Sequence, residues 1–301
     1  MQRRHFLRNT VFTAAALSMP AQDLFAILLQ QPAWKMNMLT ESTGLFTMNG
    51  GAILFSKTKE GYIVVDSQYN TNAQYLIDEF KKSEEPVFNL LINTHHHLDH
   101  SGGNILFKGL AKHVLAHENS KINQQKVAVE RKIEDKQLYP DQTYTDYHRR
   151  RIGKETVALY YYGPGHTNGD SIVHFERANI AHMGDLVFNK IYPNIDRNAG
   201  ASIKNWITVL DKAYSQFDKN TKVICGHGQK PEDVMVDREF LKQKQFFLET
   251  LLSFTDKEIK AGKSKDELLK NTVIPGVDEW KDNFKFIKVN LGVAYDELTA
   301  K

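Results

Sequence analysis

Residues 94–103 read THHHLDHSGG and place four histidines and one aspartate within six consecutive positions. A histidine-rich tract on its own is usually only compositional. This one directly follows the run PVFNLLINT (86–94), whose nearly continuous apolar character is typical of a buried strand. Strand ends are where α/β folds tend to place their sites. The tract is half of a metal site only if the rest of the chain supplies the missing ligands.

The spacing inside the tract predicts two pairs of metal ligands. His95 and His97 are two residues apart, so on an extended segment both imidazoles point the same way, while His96 points elsewhere and is expected to be structural. Asp99 and His100 follow at a place where the succeeding Ser-Gly-Gly permits the chain to turn. One strand end therefore presents ligands to two neighbouring points in space.

Three further ligand-type residues stand beside glycines, each just beyond an apolar run. They are His166 in GPGHTNGD, Asp185 in HMGDLVF and His227 in ICGHGQ. Zinc takes histidine nitrogen and carboxylate oxygen, and a catalytic zinc keeps one position open for water. Two zinc ions could then be held, with Asp185 as a bridge, by His95, His97 and His166 on one side and by Asp99, His100 and His227 on the other. The single cysteine, Cys225, lies in an apolar run and is expected to be a core residue rather than a nucleophile.

The order of these motifs (HxHxDH, GHT, GD, GHG) resembles the metallo-β-lactamase superfamily over roughly residues 40–232. The resemblance implies an α/β fold, specifically a four-layer αβ/βα sandwich, formed here by a hydrolase domain over 36–232. It also implies two Zn²⁺ ions per chain along one edge of two facing sheets. Asp66, in GYIVVDS, matches the family's strand-end aspartate, which orients the metal loop.

The departures from the family pattern narrow this expectation. GPGHTNGDSIV is similar to the corresponding loop of subclass B1 β-lactamases, but those enzymes carry cysteine where Asp185 stands and arginine where His100 stands. They commonly have a lysine for the antibiotic's carboxylate where Phe188 stands. The ligand set looks more like that of glyoxalase II-type and lactonase-type hydrolases. The metal chemistry therefore carries over better than β-lactam specificity does.

These residues predict a dinuclear zinc hydrolase that uses a metal-bound hydroxide on a small carbonyl ester, thioester, lactone or lactam. Zinc lowers the pKa of bound water toward neutrality, and Asp99 is both a ligand and the expected catalytic acceptor of the nucleophile's proton. Lys190 and Tyr192 follow Asp185 closely enough to be candidate substrate contacts. The alternatives are a β-lactamase, di-iron or phosphodiesterase chemistry on the same scaffold, and a binding protein with a vestigial site.

The N-terminus resembles a twin-arginine export leader over residues 1–26. Arg3 and Arg4 are followed by Phe6 and Leu7, and residues 10–22 are uncharged. This predicts a periplasmic or secreted protein. The apolar stretch is too short to span a bilayer comfortably, and no cysteine follows it for lipidation, so no membrane anchor is expected after cleavage.

Composition fits a soluble globular protein, with 41% hydrophobic and 25% charged residues. The formal charge of +3 falls close to zero once the leader's arginines are removed, which gives no support for nucleic-acid binding. The expected partner is a small-molecule substrate, and the oligomeric state is left open.

Residues 233–301 are charged and helical in pattern, with a break at Ile274-Pro275-Gly276. We expect this extension to pack on the same domain; a dimer surface or a roof over the active site are the alternatives. Amphipathic patterns predict helices over 72–84 and 202–217. Residues 119–150 predict a helix followed by a loop, and the arginine run 149–151 a solvated face.

Overall fold

Two β-sheets form the frame of this computed structural model, which describes residues 34–82 and 86–300. The expected leader, residues 1–26, lies outside the described residues. Residues from Lys35 onward form one compact unit. Its strands are β1 (Lys35–Met38), β2 (Thr43–Thr47), β3 (Ile53–Thr58), β4 (Gly61–Val65), β5 (Phe88–Ile92), β6 (Val114–His117), β7 (Gln142–Tyr144), β8 (Tyr147–Ile152), β9 (Glu155–Tyr160), β10 (Ile172–Phe175), β11 (Ile180–His182), β12 (Phe188–Asn189), β13 (Lys222–Ile224), β14 (His227–Gly228) and β15 (Met235–Asp237).

The helices lie between and after these strands. They are α1 (Asn70–Lys81), α2 (Leu98–Ser101), α3 (Glu118–Arg131), α4 (Ile203–Gln216), α5 (Phe240–Lys260), α6 (Lys265–Leu268) and α7 (Ile287–Thr299). Short 3₁₀ turns cover Gly102–Phe107, Glu134–Lys136, Gly184–Leu186 and Arg197–Ala199. Among the described residues, no helix combines the length and the apolar character needed to cross a membrane.

The first sheet has the strand order β1-β2-β3-β4-β5-β6-β7, and the second has the order β15-β13-β11-β10-β9-β8. Alternate residues of a strand face opposite sides of its sheet. In β4, Ile63 and Val65 join the core shared by the two sheets, whereas Tyr62 stacks on Phe80 of α1 at 4.2 Å on the outer side. Helices α4, α5 and α7 add buried side chains to the shared core beyond the second sheet. The layers are therefore helix, sheet, sheet, helix, as the family resemblance implies.

The directions of the strands determine which edge of the sandwich carries the site. Strands β4, β5 and β6 are mutually parallel, so their carboxyl ends meet at one edge of the first sheet. In the second sheet β11 is parallel to β13, and β9 runs the same way because β10 is antiparallel to both β9 and β11. The segments that leave these carboxyl ends contain the seven expected ligands. Both halves of the site therefore come from the same edge of the sandwich.

The sequence predictions of local structure hold in most places. The helix expected over 72–84 is Asn70–Lys81, and the helix expected over 202–217 is Ile203–Gln216. The loop expected after α3 is wrong, because β7 and β8 occupy that region. Strand β8 is an edge strand in which Arg149 and Arg151 are exposed, while His148 and Arg150 are partly buried. Charged edge strands resemble loops in sequence because they bury few side chains.

Candidate metal centre

All seven expected ligands lie at this edge and form two groups of converging donor atoms. Within each group the donor atoms lie within 4.8 Å of one another. We call the groups the first nest, formed by His95, His97, His166 and Asp185, and the second nest, formed by Asp99, His100 and His227.

In the first nest, three imidazole nitrogens crowd around one point. Nδ1 of His97 lies 3.1 Å from Nε2 of His95 and 3.0 Å from Nε2 of His166. Oδ2 of Asp185 lies 3.8 Å from Nε2 of His95 and 3.5 Å from Nε2 of His166. Four ligands bound tetrahedrally at zinc–nitrogen distances lie about 3.3 Å apart. The spacing of these donors is close to that of a zinc coordination sphere.

The second nest is equally tight. Nε2 of His227 lies 3.2 Å from Nε2 of His100 and 3.1 Å from Oδ2 of Asp99. Oδ1 of Asp185 lies 3.1 Å from Nε2 of His100 and 3.4 Å from Nε2 of His227. Asp185 thus presents one carboxylate oxygen to each nest, in the position of a bridging ligand.

Outer hydrogen bonds fix which nitrogen of each neutral ring faces the first nest. Nδ1 of His166 donates to the carbonyl oxygen of Asn194 at 2.8 Å, and Nε2 of His97 donates to Oδ2 of Asp196 at 2.9 Å. When both rings are neutral, each carries only one N–H group, and the nitrogens that meet at 3.0 Å then both present lone pairs. Two facing lone pairs repel unless a cation lies between them. The donor set therefore fits a metal ion.

Asp66 organises the second nest from behind. Its Oδ1 accepts from the backbone N–H of Thr94, and its Oδ2 accepts from the Thr94 hydroxyl and from Nδ1 of His100, each at 2.7 Å. The other ring nitrogen of His100, Nε2, faces Oδ1 of Asp185 at 3.1 Å. Asp66 has a φ of 66°, an uncommon conformation outside glycine, held here by these bonds. Its position agrees with the orienting role that the resemblance implied.

Burial and neighbouring charges set the protonation of His95, His166 and Asp185 in the first nest and of His100 in the second. Burial lowers the pKa of His95 well below its ordinary value, and burial lowers the pKa of His166 to about 4. Burial by itself would raise the pKa of Asp185, but His227 and His100 outweigh it and hold the pKa of this carboxyl below its usual range. Burial would lower the pKa of His100, yet Asp185 and its neighbouring carboxylates raise that pKa well above the ordinary value. At neutral pH His95 and His166 therefore offer lone pairs, and Asp185 offers a carboxylate, that a metal can bind without displacing protons.

Glycines let the backbone approach the ligands. A Cβ at Gly226 would lie 1.9 Å from Oδ1 of Asp185, and one at Gly51 would lie 2.1 Å from Cε1 of His100. Both distances are far shorter than van der Waals contact. The Asp185 carboxylate therefore requires glycine directly before His227, and the His100 ring requires glycine at position 51.

The metallo-β-lactamase superfamily model matches residues 50–227, more than half of the chain, including all seven of these residues. The chain belongs to the metallo-β-lactamase superfamily. Its relatives include metallo-β-lactamase IND-1 of Chryseobacterium indologenes, 25% identical over 179 residues, which cover 58% of this chain and 71% of the relative. A probable hydroxyacylglutathione hydrolase of Schizosaccharomyces pombe is 26% identical over 178 residues, 58% of this chain and 61% of that protein.

Solved structures of the superfamily share the fold. A metallo-β-lactamase from Pontibacter korlensis superposes with a TM-score of 0.60 at 21% identity, covering 72% of this chain and 99% of the other. The DIM-1 metallo-β-lactamase superposes with a TM-score of 0.59 at 19% identity, covering 73% and 98%. These likenesses establish the metallo-β-lactamase fold.

Several residues around the metallo-β-lactamase-fold site differ from expectation. Lys190 forms an ion pair with Glu279 at 2.6 Å, and Tyr192 is buried, so neither candidate lines the cavity beside the nests. Asp196, which sequence reasoning missed, holds Nε2 of His97 and lies 3.7 Å from Nε2 of His96. No motif marks Asp196 in the sequence, because the connection to His97 depends on how two distant loops meet.

The cavity over the nests has a volume of about 700 Å³ and is partly lined by Asp99, Asp185 and His227. That size is typical of a small-molecule site. Phe188 forms part of its wall and stacks on the His227 ring, with centroids 5.6 Å apart. Residues Phe284 and Val289 of the C-terminal extension line the same cavity. The extension therefore borders the site as well as packing on the sandwich.

Proposed function

We propose that this protein is a dinuclear zinc-dependent hydrolase that acts on a small carbonyl ester, thioester, lactone or lactam. The observation that carries the proposal is the convergence of histidine nitrogens and carboxylate oxygens in the two nests, where the donor atoms of each group lie within 4.8 Å of one another. His95, His97 and His166 would hold one ion, Asp99, His100 and His227 the other, and Asp185 would contribute to both. Histidine nitrogen with carboxylate oxygen is a donor set that suits zinc.

The zinc ions, when bound, would supply Lewis acidity that polarises a carbonyl oxygen and lowers the pKa of a water molecule. The chain's own groups position the reactants. The side chain of Asp99 is 23% exposed and faces the cavity, so its carboxylate can accept the proton of an attacking water. Burial would raise the pKa of Asp99, but His100 and His227 hold that pKa below its usual range, which keeps the carboxylate ionised at neutral pH.

β-Lactam hydrolysis is the second candidate, supported by the relatives named as metallo-β-lactamases. Phe188 argues against it, because this apolar ring stands where subclass B1 enzymes commonly carry a lysine for the antibiotic's carboxylate.

We further propose export by the leader of residues 1–26, which would place the enzyme in the periplasm or outside the cell. Di-iron and phosphodiesterase chemistry remain alternatives for the same donor set.

Metal analysis and a substrate screen test the proposal together. Zinc-loaded protein is expected to hold two zinc ions per chain and to turn over at least one member of a panel of carboxylic esters, thioesters, lactones and a chromogenic cephalosporin. A phosphodiester in the same panel and an assay for bound iron address the alternatives. Asp185→Asn is expected to lower both zinc content and turnover, since Asp185 faces both nests.

His113→Gln is the matched control. His113 is a surface histidine that pairs with Asp141 at 2.8 Å, away from both nests. The His113→Gln variant should retain the zinc content and the turnover of the wild type. Fewer than one zinc per chain, together with turnover that survives the Asp185 substitution, would contradict the proposal.

A further inference from the structure

One wall of the 700 Å³ cavity is an apolar surface supplied by the C-terminal extension. Phe284 is 53% exposed and Val289 is 37% exposed, and Phe286 lies beside Phe284 with ring centroids 5.8 Å apart. The Phe284 ring is 6.5 Å from the ring of His227 in the second nest. Large apolar side chains that remain exposed inside a concave site usually mark the place of an apolar ligand group.

Two arginines lie elsewhere along the same cavity. Arg131 is the last residue of α3, and Arg197 begins the 3₁₀ turn after Asp196. Arg197 donates to the carbonyl oxygen of Ala201 at 2.9 Å. Among the described residues, neither guanidinium forms an ion pair with a carboxylate.

The carboxylates that line the cavity already contact histidines. Asp99 and Asp185 face the second nest, and Asp196 holds His97. The two guanidinium groups therefore remain available for an anion from solution. Arginine recognises carboxylate, sulfonate and phosphate groups through its planar set of N–H donors.

We propose that the substrate is an amphiphilic anion: an ester, thioester or lactone that carries an apolar chain or ring and one anionic group. The apolar part lies against Phe284, Phe286 and Val289, and the anion binds Arg131 and Arg197. This inference rests on the proposed hydrolase function and adds the substrate class. It also gives the C-terminal extension a part in specificity.

Matched esters test the apolar contact and the anion contact separately in the zinc-loaded enzyme. Nitrophenyl acetate and nitrophenyl octanoate differ in apolar length, while nitrophenyl octanoate and mono-nitrophenyl suberate differ in a terminal carboxylate. Each fully buried methylene contributes roughly fourfold, so we expect kcat/KM to rise at least tenfold from acetate to octanoate. We expect a further rise of at least fivefold from octanoate to suberate, through KM, which added salt reduces.

Substitutions assign these effects to residues. Phe284→Ala should reduce the preference for octanoate over acetate at least threefold. The double variant Arg131→Gln/Arg197→Gln should reduce the preference for suberate over octanoate at least fivefold. Phe246→Ala is the matched control for the ring, since Phe246 is 56% exposed on α5 and outside this cavity. Arg151→Gln, an exposed arginine of β8, is the matched control for the charge.

A binding measurement on metal-free protein separates this inference from the proposed function. Anilinonaphthalene sulfonate is an apolar anion whose fluorescence reports binding without any turnover. We expect suberate monoesters to displace it, and we expect its Kd to rise at least fivefold in Phe284→Ala and in the arginine double variant but not in the two controls. Probe binding that follows this pattern without ester turnover would overturn the hydrolase function alone. Equal turnover of the three esters, or probe binding equal in all variants, would overturn the inference.

Discussion

Lys244 holds its ammonium group inside a cage of aromatic rings next to the metal centre. Its Nζ lies 4.8 Å from the ring centroid of Trp206, 4.9 Å from Phe247, 5.1 Å from Trp280 and 5.4 Å from Phe188. The side chain is fully buried, and among the described residues its amine has no hydrogen-bond partner. Cation–π attraction offsets part of the cost of burying a charge, but burial still dominates. Burial lowers the pKa of Lys244 well below the ordinary value near 10.5.

Replacing this lysine by a shape-matched apolar residue should therefore stabilise the fold. Lys244→Met is expected to raise the free energy of unfolding at pH 7 by at least about 1 kcal/mol, because the variant buries no charge or unpaired amine. Between the lowered folded pKa and 10.5 the unfolded wild-type chain binds more protons than the folded chain, so wild-type stability rises with pH in that window. The advantage of the variant should shrink as the pH approaches 10.5.

Chemical denaturation between pH 6 and pH 10 measures this difference. Lys242→Met is the control, since Lys242 is exposed on the same helix and pairs with Asp211 at 2.7 Å. Its stability should change by less than about 1 kcal/mol, with little dependence on pH. A Lys244→Met variant that is less stable than wild type at every pH would show that the ammonium is needed inside the cage.

The side chains that converge in the two nests could be predicted from sequence because they stand in short local patterns at the ends of apolar runs: the HxHxDH tract, and three ligand-type side chains beside glycine. Asp196, Arg131 and Phe284 carry no such pattern. Their places in the site follow from how distant segments pack, and an aspartate, arginine or phenylalanine in a polar stretch is ordinary by itself. Local chemistry thus predicts the donor atoms, whereas the cavity wall requires the tertiary structure.

At the scale of the elements, helix α4 depends on a cap from the C-terminal helix. The carboxylate of Glu297, in α7, accepts from the Ser202 hydroxyl at 3.0 Å and from the backbone N–H groups of Ile203 at 2.8 Å and Lys204 at 2.9 Å. The first N–H groups of a helix lack partners within the helix and carry partial positive charge. A carboxylate from α7 thus satisfies the start of the helix that holds Trp206 against His166.

Glu297→Gln is expected to lower the free energy of unfolding by about 1–2 kcal/mol, because the amide loses the charge and one acceptor oxygen. Urea denaturation measures the change. Glu249→Gln serves as control, since Glu249 is an exposed residue of α5 that accepts from Gln245, four residues earlier in the same helix, and its effect should stay within about 0.5 kcal/mol. Equal effects of the two substitutions would argue against an inter-helix cap.

Strands and helices with strong periodicity could be predicted with boundaries within about two or three residues, as α1 and α4 show. Strand β8 could not, because its pairing with β9 supplies the hydrogen bonds while two of its three arginines, Arg149 and Arg151, are exposed. The sequence did not decide where the C-terminal extension packs: on the same domain, at a dimer surface or over the active site. Its amphipathic pattern indicates burial on one side but does not identify the surface it covers.

At the scale of the whole molecule, the metal centre joins the two sheets. The first sheet contributes the ligands that follow β5, and the second contributes the ligands that follow β9, β11 and β13. Neither group of converging donors is completed by one sheet alone. Bound ions should therefore stabilise the native arrangement of both sheets, and the unfolded chain offers no such site.

The dependence of the free energy of unfolding on the concentration of free zinc should show how many zinc ions the folded chain binds. Above the dissociation constants, the free energy of unfolding is expected to rise by about 2.7 kcal/mol for each tenfold increase in free zinc if two ions are released on unfolding, and by about 1.4 kcal/mol if one is. Denaturation in zinc buffers measures this slope. His227→Ala removes a donor of the second nest alone, so its slope should fall toward the one-ion value. Magnesium, which prefers oxygen ligands, should produce little slope in either protein. A wild-type slope of only about 1.4 kcal/mol per tenfold increase in free zinc would mean that the two nests hold a single ion between them.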